Sequence, residues 1–406
     1  MKNKLLIVLS LIFFIIGSNA QTLDDYLKEA EKNSPELQAR QYRYRSALEK
    51  VNEVGGLPDT KFSVGYFVQE VETRVGAQKV KLSASQNLPW FGALSARKES
   101  EAFKAEALQN EIDLYKSQLF LNVKETYYEL YELKSKEDIL NESISILKTY
   151  EKLALSELEN NRSTLVDVLK IKMEQNELNN KVETIIENLK AKKIIFNLLL
   201  NRKEDTSIAI PIALLMEGEE NLNRKLISQN PKLLKYDNIQ KALVKSEMAV
   251  KKESLPIIGI GLDYVFVEDR DVVNLVDNGK DIIMPMVSVS VPLFSKKYSS
   301  RRKQLQLDQK ALEYNKVDAT NKLNALFENA IAELKNAKST IKTQDENIIQ
   351  ADQAHKVLLT SYQTANMDFE QVLEIQQLKL KFQLIKIAAE KKYAKQMAII
   401  QFLINS

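Results

Sequence analysis

Two stretches of this chain, 93–210 and 293–406, contain neither proline nor glycine. Proline costs about 3 kcal/mol inside a helix and glycine about 1 kcal/mol. A long run free of both therefore has nothing in its backbone to stop a helix. All eight prolines fall elsewhere, at 35, 58, 89, 211, 231, 256, 285 and 292, and the glycines beyond Gly17 cluster in the same zones.

Side-chain spacing agrees. Leu108, Ile112, Tyr115, Leu119, Val123, Leu130, Leu133, Leu140, Ile144 and Leu147 recur mostly at intervals of three, four or seven, as do Leu305, Leu312, Ala319, Leu323, Leu326, Ala330, Leu334 and Ile341. This is a coiled-coil seam with charged flanks. Each stretch breaks once, at the polar turns "ENNRST" (159–164) and "QTANMD" (363–368). The expectation is a long helix, a tight turn and a shorter helix, twice. The long helices, over 95–160 and 295–359, would each run on the order of 100 Å at about 1.5 Å per residue.

Between the helical regions the period changes to two. In "TKFSVGYFVQ", Phe62, Val64, Tyr66 and Val68 alternate with Ser63, Gly65 and Phe67; "KVKLSASQNL", "IIGIGLDYVFV" and "MVSVSVPLF" alternate likewise. Such a pattern makes a strand with one apolar and one polar or small face. It fits soluble hairpins with one packed face, and it also approaches the length of a tilted membrane strand.

The chain repeats itself. "NSPEL" (33–37) returns as "QNPKL" (229–233), "PWF" (89–91) as "PLF" (292–294) and "DVLKIK" (167–172) as "QVLEIQ" (371–376). Two structural repeats are expected, 21–210 and 211–406, each ordered helix, strand, strand, long helix, turn, helix. The first twenty residues read as a secretory signal: Lys2 and Lys4, the apolar run Leu5 to Ile16, then Ser18-Asn19-Ala20 before cleavage near Ala20.

Composition removes several classes of function. There are 58 basic and 55 acidic residues, a balance that does not suit an electrostatic nucleic-acid binder. The absence of cysteine excludes disulfides, thiolate metal sites and a cysteine nucleophile. The single histidine, His355, makes a seam position a better reading than a metal centre. No phosphate loop, zinc spacing or nucleophile elbow is present, so neither an enzyme nor a cofactor is expected. Four strands cannot cross a bilayer as an open sheet, because their edge groups would be unpaired in lipid. Three copies would close a barrel of twelve strands, an even number.

These elements resemble the TolC family of outer-membrane efflux channels. "TLDDYLKEAEKNSPELQAR" is similar to the family's first helix, "SYQTANMDFEQVLEIQQLKLKFQL" to its tip motif and "LENNRSTLVDVLKIKMEQNEL" to the first-repeat version of that motif. "LPWFG" looks most like the branch that works with heavy-metal resistance–nodulation–division pumps. The resemblance implies a mainly α chain with a membrane β-barrel, assembled as a homotrimer. It implies passive export of drugs or metal ions from an inner-membrane pump through a periplasmic adaptor. Protein secretion of type I, and a periplasmic coiled-coil adaptor or scaffold, remain as alternatives.

The resemblance also assigns residues. Asp167, Gln371 and Glu374 fall where the family constricts its pore, one acid being replaced by glutamine. Met367 falls where some members carry an arginine that ties the closed state, and Asp368 and Glu370 could supply negative charge nearby. Tyr362 precedes the turn. For the acids, a dipole or capping role at a helix start stands beside the gating one; for Tyr362, a seam position stands beside a hydrogen bond across helices. Trp90, Phe91 and Phe294 would mark the barrel rim, where aromatic residues suit a membrane–water boundary. "KKYSSRRK" (296–303) would either meet anionic groups at the membrane or be a solvated helix start.

Overall fold

The computed structural model describes residues 21–160, 164–214, 216, 222–271, 273–363 and 369–404. The leader read in the first twenty residues, and Met367 and Asp368, lie outside them. Helix α1 (Leu23–Asn33) starts at a capping box in which Thr22 and Asp25 satisfy each other's backbone N–H groups. Helix α2 (Pro35–Gly55) follows at once. "TLDDYLKEAEKNSPELQAR" is therefore divided rather than continuous. Ser34 is extended (φ −64°, ψ 114°) because the ring of the following proline disfavours the helical region for the residue before it.

Strands β1 (Lys61–Thr73) and β2 (Gly76–Leu88) come next, then α3 (Ala93–Glu159) and α4 (Leu165–Leu199). A short 3-10 turn (Arg224–Gln229) leads to α5 (Pro231–Glu253), β3 (Ile257–Glu268), β4 (Ile282–Ser290), α6 (Lys297–Gln363) and α7 (Phe369–Ile404). Asn230 caps α5 and Pro231 opens it, the position where a missing N–H costs nothing. Helices α3 and α6 are both 67 residues long. Helix α6 continues to Gln363, beyond the expected end near 359, and Tyr362 is buried there against Phe369.

The strands form one antiparallel sheet in the order β1-β2-β3-β4. Register places Val64 opposite Leu82, Leu82 opposite Tyr264 and Tyr264 opposite Ile283. The neighbouring rows, Phe62–Ala84–Leu262–Pro285 and Tyr66–Val80–Phe266, are apolar too. The opposite face carries Ser63–Ser83–Asp263 and Lys61–Ser85–Gly261. There the Lys81 ammonium pairs with the fully buried Asp263 carboxylate. The apolar face is bare: Phe62 is 80% exposed, Val64 75%, Val68 88% and Val287 75%. At the β1–β2 turn Gly76 has φ +139°, and a Cβ there would lie 1.8 Å from the Glu268 carbonyl oxygen. The turn cannot accept another residue without moving β3.

Two compact units divide the chain. One comprises Gln38–Leu114 and Ser228–Asn321, and holds the sheet. Within it small buried residues line α3 (Ala93, Ala96, Ser100) and α5 (Ala242, Ala249), and the Ser100 hydroxyl reaches the Ala242 carbonyl at 2.9 Å. The other comprises the chain up to Leu37, Tyr115–Ile227 and the chain from Lys322. Each unit draws on both sequence halves.

The described residues of the helical unit include two apolar clusters. In one, Tyr26 of α1 meets Phe196 of α4 edge-on at 5.1 Å, with Tyr127 and Leu130 of α3 against them. The Arg202 guanidinium lies 5.2 Å over the Tyr26 ring. Buried Asn197 is satisfied by the carbonyls of Glu204 and Thr206 at 2.7 and 2.9 Å, so it carries no desolvation penalty. The second cluster lies where the helical hairpins turn.

Candidate functional site

Both helical hairpins of this unit turn beside one apolar cluster. Leu140, Ile144, Leu147, Tyr150 and Ala154 of α3 pack with Val168, Ile171 and Leu178 of α4, Tyr362 of α6, and Phe369, Val372, Leu373 and Leu380 of α7. Phe369, the first residue after the second turn, meets Tyr362 edge-on at 5.1 Å and Tyr150 at 5.5 Å. Aromatic contacts thus hold the helix ends at the second turn, and a helix cap, Thr164, starts α4 after the first. Tyr362 is buried within this cluster.

The candidate acids sit around this core in different ways. Asp167 closes a capping box on Thr164: it accepts from the Thr164 backbone N–H at 3.0 Å and hydroxyl at 2.8 Å, and its own N–H donates back to the hydroxyl at 3.3 Å. The capping role is realised. Glu370, Gln371 and Glu374 lie exposed along one stripe of α7, opposite buried Val372, Leu373 and Gln376.

What links them is a residue that the sequence reading passed over. The Lys170 ammonium of α4 contacts the Glu370 carboxylate of α7 at 2.7 Å. The Glu370 hydrogen bond raises the pKa of Lys170, burial opposes it, and the charges of Asp167 and Glu374 add to the rise. Lys170 thus pairs with Glu370 across the two hairpins and feels the charges of Asp167 and Glu374. A second bond between the same helices runs from Gln377 to Glu174 at 2.8 Å. Each hairpin has its own brace: Gln175 to Glu151 at 3.0 Å between α4 and α3, and Lys379 to Asp352 at 2.6 Å between α7 and α6.

His355 lies inside this arrangement, its Nε2 in hydrogen-bond contact with the Tyr150 hydroxyl. Burial lowers its pKa, Lys379 lowers it further, and Asp352 opposes both. A neutral Nε2 accepts the Tyr150 proton; a protonated ring cannot. The unfolded histidine titrates near about 6.5, so below that pH the unfolded chain binds more protons than the folded one. Stability is expected to fall as pH drops through about 6.5 toward the lower folded value. His355→Gln should flatten that part of an unfolding-versus-pH curve. An unchanged slope would assign the effect to other groups.

At the sheet, Trp90 and Phe91 lie 6.4 Å apart between β2 and α3, and Phe91 and Phe294 are fully or largely exposed. Phe294 holds a left-handed backbone (φ 59°), uncommon for a bulky residue. In the corresponding first junction that conformation belongs to Gly92 (φ 75°). No group of three or more metal-ligating side chains occurs among the described residues, and no described helix is long and apolar enough to cross a membrane.

No protein-family model matches this sequence. No curated protein matches it either. Solved structures do. The outer membrane protein VceC from Vibrio cholerae superposes with a TM-score of 0.77 over 95% of this chain and 96% of its own, at 13% identity. CusC, described in terms of folding and transmembrane channel formation, gives 0.78 over 95% and 92%, again at 13% identity. The Campylobacter jejuni CmeC outer membrane channel gives 0.75 over 94% and 85%, at 12% identity. The chain has the fold of the TolC-type outer-membrane channels. At such low identity the likeness covers backbone architecture, nearly end to end, and leaves the side chains at the hairpin turns to be read from this chain alone.

Proposed function

We propose that this chain is the outer-membrane channel of an efflux assembly, a passive duct for small solutes. One observation carries the reading above the others: a four-stranded sheet with a bare apolar face, an opposite face that mixes polar residues with Val265, Met284 and Met286, and two edge strands, β1 and β4, without a strand partner among the described residues. In water such a face and such edges invite aggregation. In lipid the face is solvated and the edges must be paired with other copies. Three copies give twelve strands, with Ser63, Ser83, Lys81 and Asp263 lining the interior and Val64, Tyr66 and Val287 meeting lipid. Solved structures of the same fold are outer membrane channels by their own descriptions. A scaffold or adaptor has no use for such a sheet.

The mature chain would begin near Gln21, after export. The helices would form the periplasmic tunnel, gated where Lys170 meets Glu370, under the charge of Asp167 and Glu374. The exposed apolar residues Leu165, Val166, Leu169 and Met173 near that turn would meet a neighbouring copy or a periplasmic adaptor, itself served by an inner-membrane pump of the resistance–nodulation–division type. In this role the chain performs no catalysis.

The test is native mass and conductance. Protein extracted in mild detergent from the outer-membrane fraction should be a trimer and form cation-sensitive channels in planar bilayers. A monomer recovered from the soluble periplasm would remove the channel reading.

A further inference from the structure

The sheet has unequal ends. At the hairpin-loop end, Glu70, Glu72, Glu268, Asp269, Asp271, Asp277 and Asp281 outnumber Arg74, Lys79, Arg270 and Lys280. Each of those cations is paired: Arg74 and Lys280 with Asp277, Lys79 with Glu70 and Glu268, Arg270 with Glu72. At the other end β1 and β3 begin, β2 and β4 end, α2 and α5 finish, and α3 and α6 start. The charge there is basic and largely unpaired. Arg302 faces Glu247 at 3.6 Å. Lys296, Lys297, Arg301 and Lys303 are exposed and form no ion pair with any described residue; Arg301 reaches only Gln304, at 2.6 Å, and Lys297 lies over its neighbour Tyr298. Lys98 in the first turns of α3 and Lys251 in the last turn of α5 are likewise without an acid, and Lys252 bonds the Phe91 carbonyl at 3.1 Å.

We propose that this collar binds the phosphate groups of anionic phospholipids, in the leaflet on the helical side of the sheet. The inference rests on the sheet being membrane-embedded. Three observations favour lipid over a free anion or a second copy of the chain. The cations sit within about two helical turns of strand ends whose neighbours, Phe91, Leu293 and Phe294, are exposed and apolar; a free phosphate needs no such partners, whereas a headgroup with acyl chains does. Three of the cations, Lys297, Arg301 and Lys303, spread over more than one side of α6, since 297 and 301 are four apart on one stripe while 303 lies on another, and Lys296 immediately precedes the helix. The collar also includes α3 and α5. These helices have described neighbours on either side, α2 and α5 for α3 (Arg40–Glu111, Arg97–Glu253), and α3 and α6 for α5 (Arg97–Glu253, Lys316–Asp237), so their cations do not belong to a free edge of the chain.

The test uses the full-length protein, purified in mild detergent, delipidated, and titrated with phosphatidylglycerol or phosphatidylcholine while bound lipid is counted by native mass spectrometry. Phosphatidylglycerol should be preferred. Each collar cation is expected to contribute roughly fivefold, so K296Q/K297Q/R301Q/K303Q should lose most of the preference and K303Q a graded part. Lys170→Gln should keep all of it, and inorganic phosphate at the same concentration should not displace the lipid. Equal binding of both lipids would overturn the proposal. So would displacement by phosphate, which marks a free-anion site, or dissociation of the quadruple variant into monomers, which marks a contact between copies. Conductance measured on the same preparations separates the two readings. Conducting protein without lipid preference removes the collar and leaves the channel; lipid preference without conductance does the reverse.

Discussion

Lys170→Glu is expected to raise the open probability of the proposed channel by at least about tenfold. The contact of Lys170 with Glu370 is partly exposed, at 37% and 57% for the two side chains, and such a pair is weak on its own. In one chain that changes little. In the proposed trimer, whose three turns would open together, the contributions add, and about a tenfold change in population is the expected sum. Reversal goes further than neutralisation, because it places a fourth carboxylate among Asp167, Glu370 and Glu374. Lys170→Gln should therefore show the smaller effect, and Lys170→Glu combined with Glu370→Lys should restore part of the closed state. Raising the salt concentration should mimic neutralisation, since exposed pairs are screened over about 10 Å at 0.1 M. Single-channel recording in planar bilayers is the measurement. If Lys170→Glu leaves open probability and cation preference as they were, the contact is a surface pair and the gate lies elsewhere.

Lys170 also shows where sequence reading stops. The helices were legible because two stretches lack every residue that breaks one, and the strands because Phe62-Val64-Tyr66-Val68 cannot be mistaken for a period of 3.6. The break at Ser34 was legible too, from Pro35, but was masked by the strength of the flanking helix pattern. Lys170, however, is one lysine among the many on charged helix surfaces, and nothing local sets it apart. Its partner, Glu370, lies two hundred positions away, and only packing brings them together. One signal existed: with "DVLKIK" aligned on "QVLEIQ", Lys170 stands opposite Glu374, so the two repeats carry opposite charges at equivalent positions. The contact of Tyr150 with His355 is of the same kind, a pairing across the hairpins that spacing along one helix cannot reveal. For the collar, "KKYSSRRK" was visible at once, but Lys98, Lys251 and Lys252 join it only because four strand ends and four helix ends meet at one level.

Val64→Arg and Ser63→Arg should behave as opposites although the residues are adjacent. Period two puts them on different faces of β1. Val64 belongs to the apolar row with Leu82, Tyr264 and Ile283, and Ser63 to the polar row with Ser83 and Asp263. An arginine on a lipid face costs about 2–4 kcal/mol near the bilayer midplane and less toward its surfaces. At Val64 a value of about 2 kcal/mol is incurred once per chain and three times per assembly, against a total stability on the order of 10 kcal/mol for an ordinary domain. Val64→Arg should therefore severely deplete the proposed trimer from the outer-membrane fraction. Ser63→Arg should assemble normally, because its charge would enter a polar interior that already holds Lys81 and Asp263, and should instead shift ion preference toward anions. A soluble sheet packed against another protein surface predicts a different pair of outcomes: Val64→Arg would weaken that contact while the chain stayed soluble. Equal membrane recovery of the two variants would therefore remove lipid as the solvent of the apolar face, and with it the closure of three sheets into one barrel.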